Sequence, residues 1–229
     1  MIVSGGASGL GRAVAGKLRL AGARVAILDL NSELGTRAAD ETGSVFVHCD
    51  VTDRDSWREA MTAVSGTFGV PTFVHLNAGV MTRPANAPID DDPFDWIQRG
   101  GYRRVMSVNI DGVTFGLEAT VRSMAEAGGG RVVVTASTAA FTPLPFDPFY
   151  SMSKHAVVGL VRSIAPVLEA RQITINALCP GGLATPLLPD AIANAKPALM
   201  SAEEVAEAVL RLSSLESTGG VWAKPTSGA

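Results

Sequence analysis

Tyr150-Ser151-Met152-Ser153-Lys154 sets a phenol and an ammonium at i and i+4, positions that share one face of a helix. A phenol of ordinary pKa, near 10, is a poor base at neutral pH. A neighbouring cation favours the phenolate and draws that pKa toward the working range. The same spacing also arises by chance on unremarkable helices, so the pair needs company. Ser137, 13 residues earlier at the expected end of a strand, offers a hydroxyl that can hydrogen-bond an oxygen as its charge changes. Asn109, a polar residue within Val105–Val113, either satisfies a helix backbone group or holds a water that relays protons past Lys154. The chemistry implied is proton transfer at an alcohol or carbonyl oxygen.

A second group of residues suits a phosphate-bearing ligand. Ser4-Gly5-Gly6-Ala7-Ser8-Gly9-Leu10-Gly11 follows one short apolar run and opens a helical pattern. Side chains would block a pyrophosphate from the backbone N–H groups at a helix N-terminus, and glycines clear the way. The spacing is GxxxGxG rather than GxGxxG, and the alternative is a loop that only turns a corner. Asp29 ends the second strand, 18 residues after Gly11. A carboxylate there accepts from both ribose hydroxyls of NAD and repels the 2′-phosphate of NADP. Ser8 agrees, because no arginine or lysine lies within the loop; the alternative for Asp29 is a solvated strand end. Asp50-Val51 and Leu76-Asn77-Ala78-Gly79 close the third and fourth strands, where open α/β sheets bind ligands. Asp50 serves equally well as a cap for the helix starting near Asp53.

The elements that must position these groups can be read from periodicity. Short apolar runs at Met1–Val3, Arg24–Asp29, Val45–His48, Thr72–Leu76, Arg131–Ala136 and Ile173–Leu178 predict strands buried on both faces. Helical patterns lie between them at Gly9–Ala21, Ser32–Thr42, Arg54–Phe68, Tyr102–Ala127 and Tyr150–Ala170. A last helix fits Ser201–Leu215, with Ser201 and Glu204 as a capping box. This alternation predicts a doubly wound α/β fold, a parallel sheet with helices on both faces, in one domain spanning residues 1–229. Gly128–Gly130 reads as a helix stop, not a boundary.

Composition narrows the function further. The chain has 229 residues, 47% hydrophobic and 18% charged, with a formal net charge of −3, so a basic nucleic-acid surface is not expected. Cys49 and Cys179 are expected as reduced thiols, and no CxxC or Cys/His cluster suggests a metal. No signal-peptide pattern and no membrane-length apolar run occur, which makes the cytoplasm the expected location. No GxxxxGK[ST] loop supports phosphoryl transfer.

Taken in order, Ser4 to Gly11, Asp50-Val51, Asn77-Ala78-Gly79, Asn109, Ser137, Tyr150/Lys154 and Asn176…Pro180-Gly181…Thr185 resemble the motif set of the short-chain dehydrogenase/reductase family over nearly the whole chain. The resemblance implies a Rossmann-like fold and hydride transfer between NAD and a secondary alcohol or ketone. It implies Tyr150 as general acid/base, Lys154 as the group that lowers its pKa and binds ribose, Ser137 orienting the substrate oxygen, and Asn109 supporting the relay. Thr185 and the backbone near Leu183 would hold the nicotinamide carboxamide. Ser4 replaces the usual threonine, and Leu76 replaces the first asparagine of Asn-Asn-Ala-Gly, at the cost of a sheet-bracing contact. Pro84–Gly101 is longer than the family usually needs. It reads as a solvated loop, with a flap carrying Phe94, Trp96 and Tyr102 as the alternative.

Thr138–Phe149 and a substrate loop at about 183–200, rich in Phe141, Leu144, Phe146, Phe149, Leu183, Leu187, Leu188, Ile192, Leu199 and Met200, suggest an apolar pocket. Only Asp190 and Lys196 are charged in that loop. Short stretches resemble hydroxyacyl-CoA, hydroxysteroid and hydroxyprostaglandin dehydrogenases of the family, which implies an apolar secondary alcohol. The competing readings are an NADPH-dependent ketone or oxoacyl reductase and a non-catalytic dinucleotide-sensing regulator. A homodimer or homotetramer is implied by resemblance, with the Val157, Val161, Ile164 stripe facing either the sheet or a partner, and Val221-Trp222 reaching a neighbouring subunit.

Overall fold

The computed structural model describes residues 1–194 and 199–226. Seven strands form one parallel sheet in the order β3-β2-β1-β4-β5-β6-β7. They are β1 (Ile2–Ser4), β2 (Ala26–Asp29), β3 (Val45–His48), β4 (Phe73–Leu76), β5 (Gly130–Thr135), β6 (Ile173–Pro180) and β7 (Val221–Lys224). The chain order reverses between β1 and β4, and this opens a crevice at the carboxyl ends of the central strands.

Alternation along each strand divides the core in two. Ile2, Leu28, Val74, Leu76, Val132 and Val134 face one cluster. It is closed by α3 (Arg54–Phe68), α6 (Gly112–Glu126) and α7 (Pro148–Glu169). Val3, Ile27, Phe73 and Val133 face the other, covered by α1 (Gly9–Leu20) and α9 (Ala202–Leu212). Residues of period two serve opposite layers, so the central strands are mostly apolar on both faces, while the edge strands β3 and β7 are partly exposed.

Several expected boundaries are corrected. The Tyr102–Ala127 helix is interrupted: α5 (Gly101–Met106) runs into a π-helical turn at Ser107–Asp111 before α6 begins. Val221-Trp222 forms a seventh strand, β7, pairing with Ala177 and Leu178 of β6 and leaving Trp222 exposed. Asp53, not Asp50, caps α3, accepting from Asp55 N; Asp50 instead accepts from Thr52 N at 2.9 Å and Thr52 Oγ1 at 2.7 Å. Val157 and Val161 are buried in the chain's own core, so the stripe on α7 packs on the sheet. The capping box of Ser201 and Glu204 is present, and α9 ends at Leu212. Cys49 and Cys179 are buried and unbridged. Among the described residues no helix is long and apolar enough to cross a membrane.

Candidate active site

A cavity of about 550 Å³ lies over the β1/β4 crevice. One end is the glycine loop. Gly5 is left-handed at φ +62°, and a Cβ there would stand 2.7 Å from Ala78 Cα. A Cβ on Gly11 would stand 2.2 Å from Gly5 O, so the loop folds tightly onto the first turn of α1. Ser8 is the N-cap of α1 but its hydroxyl makes no cap bond, which leaves the helix N-terminus open for an anion. Asp29 fixes the loop's far side, accepting from Ala7 N at 3.1 Å and Asn31 N at 3.0 Å.

The other end holds Ser137, Tyr150 and Lys154. Asp147, at 1% exposure, accepts from Tyr150 N at 3.0 Å and so starts α7, with Pro148 preset in its first turn. The same carboxylate accepts from Thr82 N at 2.9 Å, tying the loop after β4 to the Tyr150 helix. One helical turn on, Lys154 donates to Thr135 O at 2.9 Å, and its Nζ lies 5.6 Å from the centre of the Tyr150 ring. Ser137 lies just past β5 and caps a 3₁₀ turn at Thr138–Ala140. Its Oγ accepts from Ala139 N at 3.1 Å, which leaves the hydroxyl proton available to an oxygen in the cavity.

Asn109 sits fully buried in the π turn, behind the cavity wall. Its Oδ1 accepts from Val80 N at 2.8 Å, and its Nδ2 donates to Val80 O at 3.0 Å and Ser153 Oγ at 2.9 Å. A Cβ on Gly79 would be 3.4 Å from both Asn109 Oδ1 and Lys154 Nζ, so amide and ammonium converge on Gly79. The extra residue of a π turn is what aims this side chain inward.

Burial dominates the protonation of the pair. It pushes the Tyr150 phenol up to about 12; hydrogen bonding to Ser137 works against it, and the neighbouring Asp147 and Cys179 add to it. Burial pushes Lys154 down to about 8. Burial thus disfavours the charged form of both groups in the protein alone.

Of the expected site residues, Gly5, Ser8, Gly9, Leu10, Asp29, Asp50, Val51, Asn77, Ala78, Gly79, Ser137, Tyr150, Lys154, Pro180, Gly181, Leu183 and Thr185 line this one cavity. Ser4, Gly11 and Asn109 do not. Ser4 lies beneath the loop, its Oγ accepting from Asn77 N at 3.0 Å and Ala78 N at 3.3 Å. Asn176 braces β6 instead, with Nδ2 on Ser217 O and Oδ1 on Gly220 N, both at 2.9 Å.

Leu144, Phe146, Leu187 and Leu188 form an apolar wall, joined by Val80, Met81 and Val108, which sequence reasoning did not single out. Phe141, Phe149, Ile192, Leu199 and Met200 stand outside it, and Lys196 lies outside the described residues. Residues Pro84–Gly101 do not line the cavity either. They brace its wall: Phe94 packs edge-on against Phe149, and Ala85 O accepts from Asp190 N at 2.8 Å. Asp147 was also missed, although an Asp-Pro step just before a helix is a readable cap signal.

The chain's residues fit a nicotinamide dinucleotide: a glycine cradle that side chains would fill, an open helix N-terminus, and a carboxylate at the end of β2. A family model described as short chain dehydrogenase matches residues 1–196. The borneol dehydrogenase, mitochondrial, of Lavandula x intermedia is 35% identical, over 94% of this chain and 83% of the relative. The (-)-isopiperitenol/(-)-carveol dehydrogenase, mitochondrial, of Mentha piperita is 35% identical, over 94% of this chain and 86% of the relative. Among solved structures, the 3-ketoacyl-(acyl-carrier-protein) reductase from Brucella melitensis complexed with NADH superposes with a TM-score of 0.86 at 26% identity, covering 99% of this chain and 96% of that one.

Proposed function

The chain belongs to the short-chain dehydrogenase family, and on that premise we propose that it interconverts an apolar secondary alcohol and its ketone with NAD as cofactor. The observation that carries the reading is one cavity holding Tyr150, Lys154 and Ser137 at one end and Asp29 at the other. Bound there, the dinucleotide supplies the acceptor or donor of the transferred hydride. Tyr150 takes the proton from, or returns it to, the substrate oxygen, and Ser137 donates a hydrogen bond to that oxygen. Lys154 holds the nicotinamide ribose and, as a cation beside it, makes the phenolate less costly once the site is filled. Asn109 keeps the Val80 backbone in place behind Lys154 and supports the proton path. Ser4 and Gly11 serve the cofactor indirectly, by shaping the loop that Gly5, Ser8, Gly9 and Leu10 present. Thr185 and the Leu183 backbone are assigned to the nicotinamide carboxamide by family resemblance.

NAD over NADP rests on Asp29. Among the described residues, Lys154 is the only cation lining the cavity, and Arg12, just past the loop, is paired at the surface with Glu41 at 3.1 Å. An NADPH-dependent reductase would need a cation near Ser8 or after Asp29. A dinucleotide-sensing regulator would not need the four catalytic positions, all of which are filled. The apolar substrate rests on Met81, Leu144, Phe146 and the substrate loop from Leu183 through Leu188, and the named activities of the borneol and carveol dehydrogenases support it.

Pairing into a homodimer or homotetramer through α6 and α7 is supported by the exposed Met152 and Val167 of α7. A cytoplasmic location rests on sequence alone, whereas both plant relatives are named mitochondrial.

The test is calorimetric titration with NAD⁺ and NADP⁺. NAD⁺ binding that weakens at least tenfold in Asp29→Ala, with NADP⁺ binding unchanged or stronger, is the expected result. Preference for NADP⁺ in the wild type overturns the cofactor assignment.

A further inference from the structure

His75 is a fully buried imidazole in the middle of the sheet, paired in register with Val3 on one side and Val133 on the other. Both neighbours face the apolar cluster under α1 and α9. A polar ring in such a layer is costly unless its nitrogens are bonded. Only one is: Nε2 lies 2.8 Å from Thr135 Oγ1, while Nδ1 has no partner among the described residues.

The direction of these bonds can be worked out from the far end. Asn77 Nδ2 lies 3.2 Å from both Ser4 O and Gly5 O, and carbonyls only accept. Asn77 must therefore turn its amide N–H groups toward the glycine loop and its Oδ1 toward Thr135. Thr135 Oγ1, 3.1 Å away, then has to donate its single proton to Asn77 Oδ1. That leaves the threonine oxygen only as an acceptor toward His75, which must carry its proton on Nε2. The bare nitrogen is then Nδ1, the one without a partner.

We infer that His75 is a positioning residue for the cofactor loop: as the first donor in a one-way chain from His75 through Thr135 to Asn77, it holds the Ser4 and Gly5 carbonyls in the conformation that receives the dinucleotide. The chain also adds a side-chain tie between β4 and β5 beside their backbone ladder, although Leu76 lacks a polar side chain. Thr135 joins both ends of the cavity, because its carbonyl takes Lys154 Nζ while its hydroxyl serves Asn77. Burial pushes the imidazole down to about 3, so the ring stays neutral and keeps this donor pattern through the physiological range. The inference rests on the NAD reading, and the experiment separates the two.

The experiment compares wild type, His75→Met, His75→Gln and Thr135→Val by NAD⁺ calorimetry, by thermal unfolding, and by amide hydrogen exchange of residues 5–11 without ligand. His75→Met removes both the donor and the unbonded nitrogen. It should melt at or above the wild-type temperature yet bind NAD⁺ about fivefold to tenfold more weakly, the worth of roughly one hydrogen bond. Exchange in the glycine loop should rise with it. His75→Gln places a donor at similar reach and should recover most of the affinity. Thr135→Val should weaken binding at least as much, and the double variant His75→Met/Thr135→Val no further than Thr135→Val alone.

Wild-type affinity and loop exchange in His75→Met overturn the inference, as does a His75→Gln variant as weak as His75→Met. If His75→Met does not fold, unchanged affinity and exchange in Thr135→Val overturn it. Absence of NAD⁺ binding by the wild type is the failure of the cofactor reading, and the ligand-free exchange comparison still decides on His75.

Discussion

Tyr150→Phe removes one hydroxyl from a wall that otherwise stays in place, because α7 is held by Asp147 and Lys154 bonds to the Thr135 backbone rather than to the phenol. The expected outcome is a fall in turnover of about 10²–10⁴-fold, the usual worth of a positioned acid/base. NAD⁺ binding should stay within a few-fold of wild type, and single-turnover kinetics beside calorimetry checks both. Residue types in order were enough to find this group, because YxxxK, a serine at a strand end and a glycine loop each have a chemical reason for their spacing. What spacing could not reveal is the side of the wall on which a residue stands. Ser4 and Asn109 carry the right chemistry but spend it on backbone groups of Asn77, Ala78 and Val80, a matter of packing depth that depends on tertiary contacts.

Elements were legible where periodicity is long and caps are explicit, as in α9 with its capping box. They were not legible where one residue changes the pitch. The π turn at Ser107–Asp111 adds nothing to the apolar pattern on either side, so a single helix over Tyr102–Ala127 fitted equally well. β7 has four residues, one of them the exposed Trp222, too short a run to stand out. The seat of α6 on the sheet depends on Gly116, where a Cβ would lie 2.6 Å from Leu76 Cδ2 and 2.9 Å from Trp57 Cζ2. Gly116→Val forces the helix off the strand that leads to Asn77. It should cost roughly 2–3 kcal/mol of stability, the range for overpacked cores. Urea unfolding should show a lower midpoint at an unchanged m-value.

For the whole molecule, the buried titratable groups set how stability responds to pH. His75 falls from 6.5 when unfolded to about 3 when folded, so the unfolded chain binds the extra proton and stability drops as pH falls through that window. His75→Met should flatten this drop, by on the order of 5 kcal/mol between those limits. On the alkaline side the signs oppose. Lys154, lowered from 10.5 to about 8, is relieved of its burial cost as pH rises through that interval. Tyr150, raised from 10 to about 12, loses stability over the next one. Urea midpoints measured from pH 3 to 11 in wild type and His75→Met check the acid limb directly.

The overall topology was the most legible feature at this scale, since strand–helix alternation leaves a right-handed doubly wound sheet as its natural outcome. The strand order has a consequence in time. β1 lies in the middle of the sheet, and Ile2 on its β4 side pairs with Val74. A ribosome adding about 5–20 residues each second makes β1 several seconds before its central neighbour exists. Through that interval the glycine loop has β2 to lean on but neither Asn77 nor Thr135, so the segment proposed to cradle the cofactor is made well before the side chains that brace it.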